Sequence, residues 1–368
     1  MASLPVDVLM EIFLWLSAKT LVRFRCVCKS WNSLLISPFF IKAYLERSIK
    51  LHKFYLLKDD FNFSRIQIHD CHKSELSDLD TSFVEDGQQF KLVGSCNGVV
   101  CLSNFGHGYT RHSKIYLWNP STGENRALPQ ANSHVCNVVG FGFDPSSGHL
   151  DDFKVVSLSI YFEGPSDHTS QVEVYYGFRR NCWKQVGDIF PASFAHCLHH
   201  QVILENFICW CPFHPLNDES SLILFDVVKD VFQRIAVPDV LPLAQKYINL
   251  LDGCLSLIAY NSLTQLFDVW LMKEFGACES WTKLYTIGAP ADGSLGYWPV
   301  GSANSGEILF SKALESGIAK RHWVLLLYNV GSEEFEEFGV ELDSCFNVRV
   351  VPFIESLISL SSTNNVEH

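Results

Sequence analysis

"SLILFDVVKDVFQRIAVP" (221–238) is the stretch that decides the fold. An apolar run ends on Phe225, Asp226 opens a short turn, and Phe232 falls on the returning run. Asp or Asn suits that first turn position, because its short side chain can bond the main chain just ahead of it. The unit recurs as "KIYLWNPSTGENRALP" (114–129), "QVEVYYGFRRNCWKQV" (171–186), "LFDVWLMKEFGACESWTKL" (266–284) and "WVLLLYNVGSEEFEEFGV" (323–340). The aromatic anchors Trp118, Tyr175, Phe225, Trp270 and Tyr328 lie 57, 50, 45 and 58 residues apart. Asn119, Asp226 and Asn329 follow three of them, and Trp183, Phe232, Trp281 and Phe335 supply a second aromatic in four units.

Further strand-like runs lie between these hairpins: "NGVVCLS" (97–103), "VVGFGFD" (138–144), "NFICWCPF" (206–213), "GCLSLIAY" (253–260) and "GEILFS" (306–311). Each unit therefore offers four strands in about 50 residues, a period closer to kelch than to WD repeats. The spacing predicts an all-β, kelch-like propeller of six irregular blades. The sixth blade is assembled from "KFYLLKDDFNFSRIQIH" (53–69) and the C-terminal "FNVRVVPFIESLISL" (346–360). Joining both chain ends in one blade removes free sheet edges. An open pair of β-sandwiches is the alternative.

The first 50 residues differ in texture. After Pro5, Val8, Leu9, Ile12, Phe13 and Leu16 recur on one helical face. Pro5 suits a first helical turn, and Asp7 and Glu11 suit its positive end. A second short helix is expected over Lys19–Arg25, and Val27, Trp31, Leu34 and Leu35 continue into a third. Pro38 precedes a fourth over Phe39–Leu45. So small a unit rarely closes its own core. Its apolar faces need cover, from the rest of the chain or from another protein.

Taken whole, "LPVDVLMEIFLWLSAKTLVRFRCVCKSWNSLLISPFFIKAYL" (4–45) resembles a plant-type F-box, at Leu4-Pro5, Glu11-Ile12, Leu16, Ala18-Lys19, Leu21 to Phe24, Val27 to Lys29, Trp31 and Ser37-Pro38 with Phe40. The resemblance implies docking on the Skp-type adaptor of Skp–cullin–F-box (SCF) ubiquitin ligases, and through it on cullin and RING subunits. The contact positions it implies are Leu4, Pro5, Val8, Ile12, Leu16, Leu21, Val27 and Trp31. Trp15 stands where the family usually has a charged or polar residue, and Ser17 where it has proline, which is expected to loosen the turn between the first two helices. The rest of the chain resembles the F-box-associated domain of plant F-box proteins, at "GSCNGVVCLS" (94–103), "LWNPSTGENRALP" (117–129), "GFGFDPSSGHLDDFKVV" (140–156), "VEVYYGFRRNCWKQV" (172–186) and "PFIESLISL" (352–360). Within that family it is similar to S-locus F-box and S-locus-F-box-like proteins of pollen. The implied division is an F-box over 1–47, the β domain over 48–362 and a tail over 363–368. The implied role is a non-catalytic substrate receptor whose β domain binds a target protein. The S-locus likeness points to basic pistil S-RNases as targets, in self-incompatibility.

Charge and cysteine usage bound the alternatives. Net charge is −12, yet residues 1–50 hold seven Lys/Arg against three Asp/Glu. An acidic body argues against nucleic acid as partner and suits a basic protein. The 13 cysteines are irregularly spaced and several sit in apolar runs (Cys101, Cys209, Cys254), as reduced thiols of the cytoplasm or nucleus do. Pro5, Asp7 and Glu11 interrupt the first turns, so no signal peptide is expected, and Val8–Leu16 is too short to span a membrane.

No residue pattern demands catalysis or a cofactor. "HCLHH" (196–200), "CWC" (209–211) and "HDCH" (69–72) lack the paired spacing of structural zinc sites. "GFGFD" (140–144) lacks the third glycine of a dinucleotide fingerprint, and no nucleophile elbow, P-loop or zincin motif occurs. "LDDF" (150–153) reads as a turn before a strand, and the acidic run 75–86 as a solvated loop or an acidic contact. Two rival functions stay open: a propeller enzyme with carboxylates converging at its channel, and a glycan-binding or SCF-independent scaffold using Trp118, Trp210, Trp270 and Trp298.

Overall fold

The computed structural model describes residues 4–51, 55–60, 65–70, 75–84, 90–104, 114–132, 138–162, 168–177, 180–186, 201–212, 221–238, 245–261, 263–288, 296–302, 307–314, 322–342 and 349–361. Four helices come first: α1 (Val6–Leu14), α2 (Ala18–Phe24), α3 (Lys29–Leu35) and α4 (Pro38–Lys50). Among the described residues, twenty-four strands in six four-stranded antiparallel sheets follow. Blade 1 contains β1 (Tyr55–Asp60), β2 (Arg65–Asp70) and β3 (Glu75–Asp78). Blade 2 is β4 (Phe90–Cys96), β5 (Val99–Asn104), β6 (Ile115–Trp118) and β7 (Asn125–Ala127). Blade 3 is β8 (Val138–Phe143), β9 (Phe153–Phe162), β10 (His168–Tyr176) and β11 (Cys182–Gln185). Blade 4 is β12 (Gln201–Leu204), β13 (Phe207–Trp210), β14 (Ser221–Asp226) and β15 (Val231–Ala236). Blade 5 is β16 (Gln245–Leu251), β17 (Cys254–Asn261), β18 (Leu266–Met272) and β19 (Trp281–Gly288). Blade 6 is β20 (Tyr297–Ser302), β21 (Glu307–Leu314), β22 (His322–Asn329) and β23 (Glu334–Leu342). The last strand, β24 (Arg349–Phe353), returns to blade 1 and pairs with β1, Tyr55 opposite Phe353 and Leu57 opposite Val351. The ring is thus closed by both ends of the propeller sequence, as the spacing predicts, and the sandwich alternative falls away.

The blades adhere through their faces. Successive side chains of a strand point to opposite faces, so every middle strand serves two cores. In β5, Val100 and Leu102 pack toward blade 1, while Val99 and Cys101 pack toward blade 3. The five aromatic anchors follow one rule: each turns toward the blade before it. Trp118 fills the core between blades 1 and 2, Tyr175 that between 2 and 3, and Phe225 that between 3 and 4. Trp270 and Tyr328 do the same for the next two junctions. The second aromatics join them: Tyr175 faces Trp183, Phe225 faces Phe232 and Tyr328 faces Phe335 across the strand pair, with ring centroids 4.8–5.5 Å apart. Trp183 and Trp281 also donate their indole N–H groups backward, to Pro129 O at 2.7 Å and Ala236 O at 3.1 Å.

The turn residues work as their chemistry suggests. Asn119 Oδ1 accepts from Ser121 N at 2.9 Å, Asp226 Oδ1 from Val228 N at 2.9 Å, and Asn329 Oδ1 from Gly331 N at 2.8 Å. Asn261 repeats the pattern toward Leu263 N at 3.0 Å. Four residues beyond each lies a left-handed residue: Gly123, Asp230, Gln265 and Glu333, with φ between 57° and 77°. This αL residue lets a four-residue loop return into the antiparallel ladder.

One expectation needs correcting. Within the acidic run 75–86, Glu75–Asp78 form β3, the outer strand of blade 1 paired to β2, rather than a loop. Glu85 and Asp86 lie outside the described residues, as do His196 to His200 of "HCLHH" and Cys71 and His72 of "HDCH".

Candidate adaptor interface

Helix α1 is two-faced. Phe13 and Leu14 turn inward onto Ala18, Leu21, Leu35, Phe40 and Tyr44. The opposite side leaves Val8 and Ile12 44% and 46% exposed, Leu4 just ahead of the helix is 54% exposed, and Val27 in the turn before α3 is 59% exposed. Pro5 is exposed just before α1, not inside it, and its carbonyl accepts from Leu9 N at 3.1 Å. The other three positions behave differently. Leu21 is fully buried in the helical core and offers no surface to a partner. Leu16 is half-buried against that core. Trp31 is half-buried too, edge-on to Phe13 at 4.9 Å and tilted against Phe24 at 5.3 Å. These three residues belong to the helical core rather than to the exposed row.

The two sequence departures have clear local consequences. Ser17 caps α2, its Oγ accepting from Thr20 N at 3.4 Å, so the turn is held by a cap where the family uses proline. Trp15, at the C-terminal end of α1, lies under the Arg47 guanidinium of α4, 3.5 Å from the ring centroid, a cation–π contact between the two helices. Ser37-Pro38 forms an N-cap followed by proline at the first helical position, and Phe40 N donates to Ser37 Oγ at 3.2 Å.

Sequence reasoning missed Ile36 and Phe39, both exposed large apolar residues of the same module. Helical phase was the available signal: Phe40 and Tyr44 point inward one turn apart, which leaves Phe39 facing out.

The propeller holds a central cavity of about 240 Å³ walled by the inner strands of all blades but the third. Side-chain to main-chain bonds tie neighbouring inner strands around it. Gln201 Oε1 accepts from Phe141 N and its Nε2 donates to Phe141 O, both at 2.9 Å. Asn249 Nδ2 donates to Gly301 O at 3.2 Å, and Arg349 Nη1 to Leu92 O at 2.6 Å. No carboxylate lines the cavity, and no group of three or more metal-ligating side chains occurs among the described residues. Burial pushes the Cys211 thiol up to about 12, and the Cys209 thiol is raised as well. Trp118 and Trp210 are buried, and Trp270 and Trp298 are half-buried against inter-blade cores, so the four do not make an open stacking platform.

A helical module with an uncovered apolar row, seated on a closed six-bladed ring, defines the class: a docking unit joined to a recognition unit. Comparison with known proteins agrees. Residues 1–42 match the F-box domain, and residues 47–360 match the F-box associated beta propeller domain. The chain therefore belongs to the F-box proteins that carry an F-box-associated β-propeller. It is similar to F-box protein CPR1 of Arabidopsis thaliana, 28% identical over 320 residues that cover 79% of this chain and 74% of the relative. It is also similar to an F-box/kelch-repeat protein of the same plant, 30% identical over 305 residues covering 77% and 79%. Among solved structures, a chain from a nidogen/laminin complex overlays 82% of this chain and 98% of its own, at 9% identity and a TM-score of 0.48. No described helix is long and apolar enough to cross a membrane.

Proposed function

We propose that this protein is the substrate-recognition subunit of an SCF ubiquitin ligase. The exposed row Leu4, Val8, Ile12 and Val27 docks on a Skp-type adaptor, and the propeller holds a target protein. The observation that carries the reading is this row: large apolar side chains left uncovered on a helical module whose inner faces are already satisfied. Covering the half of each that is still exposed is worth roughly 0.7–1.5 kcal/mol gross. The chain itself performs no bond chemistry in this role. It supplies proximity, holding target lysines near the ligase's catalytic subunits.

Chain direction supports a target face opposite the helices. Helix α4 runs into β1, and β24 runs out toward the helices, so blade strands meet the helical module at one end of the ring. Following the antiparallel order from there, β7, β11, β13, β15 and β19 all end at the other end of the ring. Loops on a rigid ring are suited to specificity. A net charge of −12 suits a basic target, and the S-RNases named by the pollen likeness are one such class. Reduced cysteines fit a cytoplasmic or nuclear setting.

The test is co-elution of the full chain with a purified Skp-type adaptor. Ile12→Asp and Val27→Asp should each abolish capture while leaving the thermal unfolding midpoint unchanged, because both side chains already face water. Capture equal to wild type for both variants would overturn the docking claim. A target is then sought by incubating the adaptor-bound protein with a basic S-RNase and with a non-homologous basic protein. Retention of both alike would reduce the S-RNase reading to charge alone.

A further inference from the structure

Directly after β24 the described chain stays on the molecule. Residues 354–361 run between blade 2 and the helices and are gripped on both sides. On the propeller side, the buried Asn119 side chain donates through Nδ2 to Ile358 O at 2.8 Å, Ser356 O at 3.2 Å and Ser356 Oγ at 3.3 Å. Ser356 N donates to Ser121 Oγ at 3.3 Å. Glu124 Oε2 accepts from Leu360 N and Ser359 Oγ, each at 2.7 Å. On the helical side, Glu355 Oε2 accepts from Ala18 N at 3.4 Å and from the Tyr44 hydroxyl at 3.2 Å. Leu357 is fully buried within the helical core, beside Phe13, Leu21 and Phe40. One position on, Ile358 turns the other way and packs with Leu45 of α4 into the core between blades 2 and 3. Gly98 lies under the segment, where a Cβ would stand 2.5 Å from the Ser356 side chain.

We infer that residues 354–361 form a latch that couples adaptor docking to closure of the ring. The segment continues directly from β24, the strand whose pairing with β1 shuts the propeller. It also supplies Leu357, a core residue the helical module lacks by itself. Helix α1 is thus held between the adaptor on its Val8–Ile12 side and the latch on its Phe13 side. If β24 detaches, Leu357 and Glu355 go with it and the helices lose their floor. If the helices open, the latch loses one of its two walls. A partner that binds only the closed state stabilises everything that opens with it. By linkage, an intact ring strengthens adaptor binding by the same factor. This coupling rests on the adaptor reading above. It makes the receptor able to bind its adaptor well only when its target-binding ring is shut.

Hydrogen exchange on the full chain tests the latch, with and without a Skp-type adaptor whose capture is confirmed by co-elution of the same samples. With adaptor at a hundredfold excess over Kd, amides of β24 and β1 should slow by up to about 100-fold, alongside those of α1. In Leu357→Ala the slowing should persist in the helices and vanish from β24 and β1. Slowing confined to the helices in the wild type would overturn the proposal. If Leu357→Ala fails to fold, Glu355→Ala serves, since it removes two hydrogen bonds and no core volume. If no adaptor is captured, the docking reading fails, and the latch is judged on the adaptor-free chain. There Glu355→Ala should speed exchange in α1, α2 and β24 together, and acceleration in the helices alone would overturn it.

Discussion

The carboxamide nitrogen of Asn119 donates to the carbonyl oxygen of Ile358 across 2.8 Å and 239 positions of sequence. The same side chain caps its own turn through Oδ1, which accepts from Ser121 N. In blade 4 the matching position is Asp226, whose Oδ1 accepts from Val228 N and Lys229 N. Either residue can make the turn, but only the amide can also donate to the latch. Asn119→Ala should lower stability by about 1–3 kcal/mol, since buried carbonyls lose their donor. Asn119→Asp should lower it further at neutral pH, despite keeping the turn acceptor, because a buried carboxylate then faces two carbonyl oxygens. Urea unfolding midpoints check the order. Asp tolerated as well as Asn would show that the turn alone matters.

A buried cation joins blades 3 and 4. Lys154 Nζ pairs with Asp230 Oδ1 at 2.8 Å and Asp144 Oδ2 at 3.3 Å, and also donates to Val227 O. Asp230 in turn accepts from the Tyr176 hydroxyl at 2.6 Å. Lys154→Met fits the space but strands two carboxylates, and should cost roughly 3–5 kcal/mol. Adding Asp230→Asn to Lys154→Met should recover part of that loss, a coupling read by a double-mutant cycle in urea. Additive losses would mean that the pair does not interact.

Tyr44 gives the latch a pH dependence. Burial, with the Glu355 carboxylate alongside, raises the Tyr44 phenol far above its usual value. The folded state therefore favours the protonated form. Its contribution is fully present below the unfolded-state value of about 10 and is lost as pH rises beyond it. Tyr175, Tyr176 and Tyr285 are raised as well, chiefly by burial, so they share the alkaline decline. Tyr44→Phe should be less stable than wild type at pH 7, by about 1 kcal/mol for the lost hydrogen bond. Its decline above pH ~10 should be shallower. Parallel stability curves for the two proteins would remove Tyr44 from the account.

The propeller was legible because its signal is repeated: an aromatic anchor recurs in five outer hairpins, with Asn or Asp after three of them and a second aromatic in four. Each does one job, filling the gap to the preceding blade or forming the turn. Strand β3 was hidden because Glu75, Ser77 and Asp78 are polar, and an outer strand needs little apolar pattern. The adaptor face was partly legible. The family resemblance supplied Val8 and Ile12 but also Leu21, since a motif carries over apolar positions without saying which side of this module is already covered. The latch carried no periodic signal. Its contacts join residues more than 200 positions apart, and nothing local to 354–361 names Asn119 or Tyr44 as partners.

Thiol labelling can read the adaptor face directly. Cys26 and Cys28 are exposed on either side of Val27, and Cys278 is exposed in the turn between β18 and β19 of blade 5. A hydrogen bond from the Ser30 side chain, with another from the Trp31 main chain, holds the Cys28 thiol below its ordinary value. The thiolate is the reactive form, so Cys28 should label fastest at pH 8. Burial holds Cys96 at about 12 and raises Cys209, so these should label only on unfolding, together with the buried Cys101. If Val27 is buried by a Skp-type adaptor, bound adaptor must also hinder reagent at Cys26 and Cys28, while Cys278 keeps its rate as an internal control. Peptide mapping by mass spectrometry measures all three sites in one sample. Equal labelling of Cys28 with and without captured adaptor would place the contact elsewhere on the helices, and Ile36 and Phe39 would become the apolar residues to mutate next.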